Sequence, residues 1–212
     1  MAIVLPVGRP KYAVEECPGA NGLGWRICVG HQATGCVGVL PGADRLRVVV
    51  AEPLSKTCPR GLRQRLVGLA GELLAAGAGL AESADALMRH ADEDRRTAPQ
   101  AGLTLLDLLP DGEALVACRY APSAVHVTAD GLSLRPAMPG TGNATVTLAR
   151  GDHLLAYSGT FLEVVPPGIL ADLADLPGRR AELDSCGLWH TLAAGCDPLG
   201  PAPDLAVITR TR

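Results

Sequence analysis

Aromatic residues are scarce in this chain of 212 residues: one Phe, two Trp and three Tyr, 3% of the total. A core cannot be built on stacked rings here, so it must be assembled from Ala, Val and Leu, which supply most of the 48% hydrophobic content. Long charge runs are also missing. With 19% charged residues and a net charge of -3, no surface is marked for nucleic acid. No stretch reaches the roughly 18 to 20 apolar residues that a membrane helix needs. The opening Met-Ala-Ile-Val-Leu-Pro-Val-Gly carries neither a basic leader nor a signal-length apolar segment, so a cytoplasmic chain is expected. Seven cysteines, odd in number and irregular in spacing, read as reduced thiols rather than a disulfide framework.

Glycine (25) and proline (17) are plentiful but dispersed, which suits many short elements in a single domain over 1–212. Lys11–Cys17 and Trp25–Gly30 read as strands about a Pro18–Gly24 turn. Cys36–Leu40, Pro41–Asp44 and Leu46–Ala51 form a strand–turn–strand hairpin. Leu62, Leu66, Leu69, Leu73 and Leu74 make a helical stripe over Arg60–Ala76, broken at Gly77–Gly79. A second helix covers Glu82–Arg95, capped at Ser83 or near Gly79–Leu80, and ends in the mixed charges of Asp92–Arg96. Strands return at Leu103–Leu109, Ala114–Tyr120, Ala124–Thr128, Ser133–Pro136, Ala144–Leu148 and Leu154–Tyr157, with turn signals at Pro110-Asp111-Gly112 and Asp130-Gly131. Helices over Ile169–Leu176 and Ala181–Ala194 and a strand at Leu205–Thr209 close the chain. Strands, two helices, more strands and short connections argue an α+β fold with helices on antiparallel sheets.

The most telling stretch is Arg150-Gly151-Asp152-His153-Leu154-Leu155-Ala156-Tyr157-Ser158-Gly159-Thr160. A Gly-Asp turn leads into a buried strand and a tight small-residue exit, the kind of strand end where sites are built. The stretch resembles the P-G-D-x-L-L-L-Y-T-D-G line of the PPM-type metal-dependent protein phosphatases, in their bacterial SpoIIE-like branch. From Gln32 onward further segments follow in the family's order. Gln32–Val37 stands for its G-G-D-x-x-D-like segment, and Ala51–Thr57 for G-D-hydrophobic-S-G-K-G, with Ser55 near the motif serine and Lys56 on its lysine. Ala117-Cys118-Arg119-Tyr120-Ala121-Pro122-Ser123 stands for A-N-A-G-H-P-P, and Pro203–Ile208 for the closing D-D-x-T strand. The resemblance implies a sandwich of two antiparallel β-sheets flanked by helices.

It also implies a dinuclear Mg²⁺ or Mn²⁺ site, in which carboxylates hold two hard cations that activate water and neutralise a phosphoryl group. At the four ligand places this chain has Thr34, Glu52, Gly159 and Pro203, of which Glu52 alone is a carboxylate. Asp204 follows Pro203 by one residue, a shift that in a strand points to the other face. Asp152 matches the turn aspartate, which is not a ligand. No metal is therefore expected, and the old cleft, made of Thr34, Glu52, Ser55, Lys56, Ser158, Gly159, Thr160 and Asp204, is expected to bind rather than cleave. Relatives of this branch dephosphorylate anti-sigma antagonist proteins in partner-switching circuits, which makes a phosphoprotein of that type the expected partner. Two alternatives stay open. One is a repurposed enzyme using Cys36, Cys58 and Glu52 with His31 or His153. The other is a phosphatase that retains a single or displaced Mg²⁺ or Mn²⁺.

Other motifs carry less. Cys186 and His190 share a helical face, but no second pair at metal-ligand spacing completes a zinc site, so a buried Cys beside a partly exposed His is the reading. Arg60, Arg63 and Arg65 with Lys56 make a small basic patch suited to an anion or a solvated face. Ser158 lies outside any G-x-S-x-G elbow.

Overall fold

The structure is a computed structural model that describes residues 13–16, 22–31, 37–53, 61–92, 101–120, 124–128, 134–138, 141–157, 185–194 and 205–212. Eleven strands and three helices are found among them. The strands are β1 (Ala13–Glu16), β2 (Trp25–His31), β3 (Val37–Pro41), β4 (Leu46–Pro53), β5 (Ala101–Leu108) and β6 (Glu113–Arg119). They continue as β7 (Ala124–Val127), β8 (Leu134–Met138), β9 (Gly142–Thr147), β10 (His153–Tyr157) and β11 (Leu205–Arg210). The helices are α1 (Leu62–Ala75), α2 (Leu80–Asp92) and α3 (Ser185–Ala194).

All pairings are antiparallel and give two sheets, β1-β2-β11-β10-β7-β8 and β3-β4-β5-β6-β9. The expected α+β sandwich is thus present, and the expected hairpin closes as β3–β4 with Val37 opposite Val50. The expected helix over Ile169–Leu176 lies outside the described residues.

Alternation along β4 shows why one run serves two layers. Leu46, Val48 and Val50 enter the core between the sheets, while Val49 and Ala51 face α1 and α2. On β5, Leu106 and Leu108 take the inter-sheet side and Leu103 and Leu105 the helix side. The second sheet answers with Trp25, Ile27, Val29, Leu154, Ala156, Ala206 and Ile208. Both faces of β4 and β5 are buried, so their sequences read as continuous apolar runs. On the far face of the six-stranded sheet, Trp189 of α3 donates to the Leu205 carbonyl at 3.2 Å.

α1 and α2 meet the five-stranded sheet through Leu62, Leu66 and Ala70 and through Leu80, Ala84, Leu87, Met88 and Ala91, stripes at helical spacing. α1 ends in a Schellman motif: Gly77 is left-handed (φ 78), its N–H donates to the Leu74 carbonyl, and the Ala78 N–H donates to the Leu73 carbonyl. This tight stop lets α2 start at Leu80, two residues before the expected Glu82. Ser83 accordingly does not cap the helix. It is fully buried and accepts a hydrogen bond from Arg47 at 2.8 Å.

Arg47 is itself fully buried on β4, directly across from Asp107 on β5. Its Nε and Nη2 donate to the two Asp107 oxygens at 2.7 and 2.8 Å, and Nη2 also donates to the Ala78 carbonyl at 3.2 Å. One guanidinium therefore ties sheet, α2 and the α1–α2 turn together.

One end of the sandwich is clamped. Trp25 Nε1 donates to the Leu109 carbonyl at 2.9 Å, and the Arg210 guanidinium lies 4.8 Å from the centre of the Trp25 ring. Arg210 also donates to the carbonyls of Leu23, Gly24 and Pro110, which joins β11, the start of β2 and the β5–β6 turn. The opposite end is where β2, β4, β6 and β10 finish and β3, β5, β7 and β11 begin.

Candidate functional site at the Glu52 end of the sandwich

Strand alternation places Glu52 on the same side of β4 as Val48 and Val50, the inter-sheet side, at the end away from the Trp25–Arg210 clamp. It is buried, 8% exposed, and its cross-strand partner is Gly102, which has no side chain. One pair further in, Thr104 lies opposite Val50 and Cys118. Its Oγ1 is buried and makes no hydrogen bond. Such atoms are uncommon in folded proteins. Tyr157 ends β10 at the same end. Burial first, and then coulombic repulsion from Cys118, hold its phenol above the ordinary value of 10.0, so at neutral pH it is protonated. Glu52, Thr104 and Cys118 thus share the inter-sheet face at this end of a core that is otherwise apolar.

Among the expected cleft residues, Glu52 is described and buried. Thr34, Ser55, Lys56, Ser158, Gly159, Thr160 and Asp204 lie outside the described residues, as do Cys36 and Cys58. Within the described residues no three His, Cys, Asp or Glu side chains cluster. Val37 at the start of β3 is half-buried against the inter-sheet core, and Tyr157 at the end of β10 is buried.

His153 is no neighbour of this end. It begins β10, about 13 Å along the strand from Tyr157 at ~3.3 Å per residue. Its Nδ1 is 2.8 Å from Thr209 Oγ1, and the side chain is fully buried. The Gly151-Asp152 pair forms the expected turn. Gly151 is left-handed (φ 88), the Asp152 N–H donates to the Ala149 carbonyl, and Asp152 Oδ2 accepts from the Ala149 N–H at 3.0 Å. The same oxygen lies 2.9 Å from His126 Nε2, a partner in β7 that the local sequence does not reveal. Arg65 of the basic patch is exposed, Lys56 and Arg60 lie outside the described residues, and Cys186 is half-buried rather than buried.

A second feature stands beside Glu52's end, on the flank between α2 and β6. Tyr120 is the one non-glycine residue with positive φ (58) among the described residues, and it is 53% exposed. Its N–H donates to Thr141 Oγ1 at 3.0 Å. The preceding Arg119 is locked by Asp85, Asn143 and the carbonyls of Cys118 and Gly142. Tyr120 overlooks a cavity of ≈ 600 Å³ that also touches Asp85, Met88, Arg89 and Asp92. In the A-N-A-G-H-P-P correspondence Tyr120 takes the glycine's place, and its backbone has the left-handed conformation that favours glycine.

No family model matches the sequence, and no curated protein is significantly similar to it. Solved structures do match. The RsbU and RsbW domains of a Mycobacterium tuberculosis protein superpose with a TM-score of 0.61 at 20% identity, over 82% of this chain and 54% of that one. The PP2C phosphatase domain of the cell-fate determinant SpoIIE from Bacillus subtilis, with a fragment of its regulatory domain, gives 0.62 at 12% identity, over 94% of this chain and 64% of that one. The fold is that of the PPM-type phosphatases. The SiaA-PP2C domain of Pseudomonas aeruginosa shares it, with a TM-score of 0.58 at 16% identity over 90% and 87% of the two chains. This chain spans 54% and 64% of the length of the first two structures, so the PPM fold is shared and the other parts of those chains are not matched. Among the described residues no helix is long and apolar enough to cross a membrane.

Proposed function

We propose that this PPM-fold chain is a catalytically degenerate phosphatase domain, a pseudophosphatase, that works by binding a protein partner. The observation that carries the reading is Glu52. It is the one carboxylate at the four places where the family holds its metals, and it sits buried on the inter-sheet face. Thr34, Gly159 and Pro203 supply a hydroxyl, no side chain and an alkyl ring. Hard divalent ions take six or more oxygen ligands, mostly from carboxylates and water, and two such ions need several shared carboxylates. This donor set does not fit a pair of them, and no hydrolytic step is derived through one.

The partner class follows from the same likeness. The structural neighbours include regulators with RsbU- and SiaA-type domains, and one of them carries an RsbW domain beside its RsbU domain. A phosphoprotein of the anti-sigma antagonist type, held without being dephosphorylated, is the partner this reading assigns. His153, buried against Thr209 at the far end of β10, stands away from Glu52, which supports binding over a nucleophile that recruits that histidine.

The test is calorimetric titration of the chain with Mn²⁺ and with Mg²⁺, with p-nitrophenyl phosphate turnover followed in the same samples. Neither stoichiometric binding nor metal-dependent turnover is expected. Both together would sink the proposal, and would mean that the four ligand places have been matched to the wrong residues.

A further inference from the structure

Among the described residues the two sheets end in four edge strands, β1 and β8 on one sheet and β3 and β9 on the other. An edge offers a row of N–H and C=O groups that will pair with any compatible chain, and proteins guard it with charge, proline or a bulge. Three of these edges carry such guards. β1 has Glu15 and Glu16. β8 has Arg135 and Pro136, and its pairing with β7 shifts register between Ala124 and Val125. β3 ends in Pro41. The fourth edge, β9, reads Gly142-Asn-Ala-Thr-Val-Thr147, with no charge and no proline. It pairs with β6 in unbroken register from Glu113 opposite Thr147 to Cys118 opposite Gly142.

β9 is also uncovered on one face. Asn143, Thr145 and Thr147 are exposed, whereas Ala144 and Val146 are half-buried. A groove of ≈ 410 Å³ runs beside the strand, bounded by Leu80 and Ala81 of α2 and by Leu115 and Val116 of β6. Charge and proline are thus missing from an edge strand with an exposed face.

We propose that β9 is the seam of a homodimer: the β9 strands of two copies pair antiparallel about a two-fold axis at Thr145. The five-stranded sheets would then run on as one sheet of ten. The occupant is a second copy because the strand is its own complement. An axis at Thr145 sets Thr145 against Thr145, Asn143 against Thr147 and Ala144 against Val146. Threonine pairs are favourable cross-strand neighbours, and no like charges meet. β9 has no charge of either sign with which to select a different chain. The groove beside the seam gives the partner's threonine methyl groups apolar surface to cover. This proposal stands apart from the reading of the Glu52 end, since β9 holds none of the residues on which that reading rests.

Sedimentation velocity on the full chain, over a hundredfold range of concentration, tests it. A concentration-dependent dimer is expected. Thr145→Lys would set two ammonium groups face to face at the axis and is expected to weaken association at least tenfold, with circular dichroism confirming that the fold is kept. Independently, Thr145→Cys is expected to form a disulfide with its own copy, identified as a 145–145 linked peptide by mass spectrometry. A chain that stays monomeric throughout would overturn the proposal. So would a dimer insensitive to Thr145→Lys and free of the 145–145 link, or a monomer that takes a foreign strand along β9.

Discussion

Removing Asp107 probes the packing of α2 on the sheet more sharply than any other single change. In Asp107→Ala the Arg47 guanidinium loses the contacts at 2.7 and 2.8 Å and keeps Ser83 and the Ala78 carbonyl. It stays fully buried, with its charge uncompensated apart from those dipoles. Breaking a buried ion pair from one side typically costs about 3–5 kcal/mol, because the orphaned charge bears the full desolvation penalty. Against a typical total of about 5–15 kcal/mol, that is a large fraction of the fold's stability. Arg45, whose Nη1 lies 3.4 Å from Asp107, loses the same partner and, as a second cation, cannot compensate Arg47. The double replacement Arg47→Met/Asp107→Leu removes both charges and is expected to recover most of the loss, to within about 1 kcal/mol of the parent. Urea unfolding of the parent, Arg47→Met, Asp107→Leu and the double variant, analysed as a double-mutant cycle with Asp107→Ala measured beside it, gives the coupling. An Asp107→Ala cost below about 1 kcal/mol would refute the argument, for it would mean that water reaches the guanidinium in the folded protein.

Two further outcomes are expected. Tyr120→Gly relieves a left-handed backbone that costs a non-glycine residue about 1–3 kcal/mol, and it gives back about 0.5–1 kcal/mol in chain entropy. The side chain is half in solvent, so a net gain in melting temperature should be seen by calorimetry, and a loss would show that the ring is held by contacts worth more than the strain. Tyr157 has a folded pKa above the unfolded 10.0. Its contribution to stability is therefore complete below pH 10 and is lost as pH rises from there through the folded value. Tyr157→Phe should flatten the alkaline fall in stability, and a spectrophotometric titration of the phenol should show that one late ionisation missing.

The element order was legible because its signals are local. The β-branched run in Leu46–Ala51, the leucine stripe of α1, the Gly77–Gly79 break and the Pro110–Gly112 turn each act within a few residues, and each appears where it was read. Arg47 and Asp107 are 60 residues apart, and no local pattern links them. A signal was present nonetheless: Arg47 is the one cation of β4 and Asp107 the one charge of β5, both in strands that are mostly apolar. Ser83 was misjudged for a related reason. As a short polar residue near a helix start it reads as a cap, whereas its hydroxyl is used from the second turn to receive Arg47. The conformation of Tyr120 leaves no trace in alternation, although its place opposite a motif glycine hinted at it. Of the expected cleft, Glu52 is the residue that falls in a described element, at the end of the β-branched strand β4. The remaining cleft residues belong to connections outside the described residues, where spacing alone carried the reading.

The clamp of Trp25 and Arg210 has a bearing on how such a chain can change over time. What holds the two sheets in register sits at one end, in an indole, a guanidinium and four backbone carbonyls. The strand ends beside Glu52 take no part in it. Substitutions there leave the clamp and the Arg47–Asp107 tie in place, so architecture and chemistry are inherited separately. A lineage can exchange the residues at one pole while the other continues to specify the same sandwich.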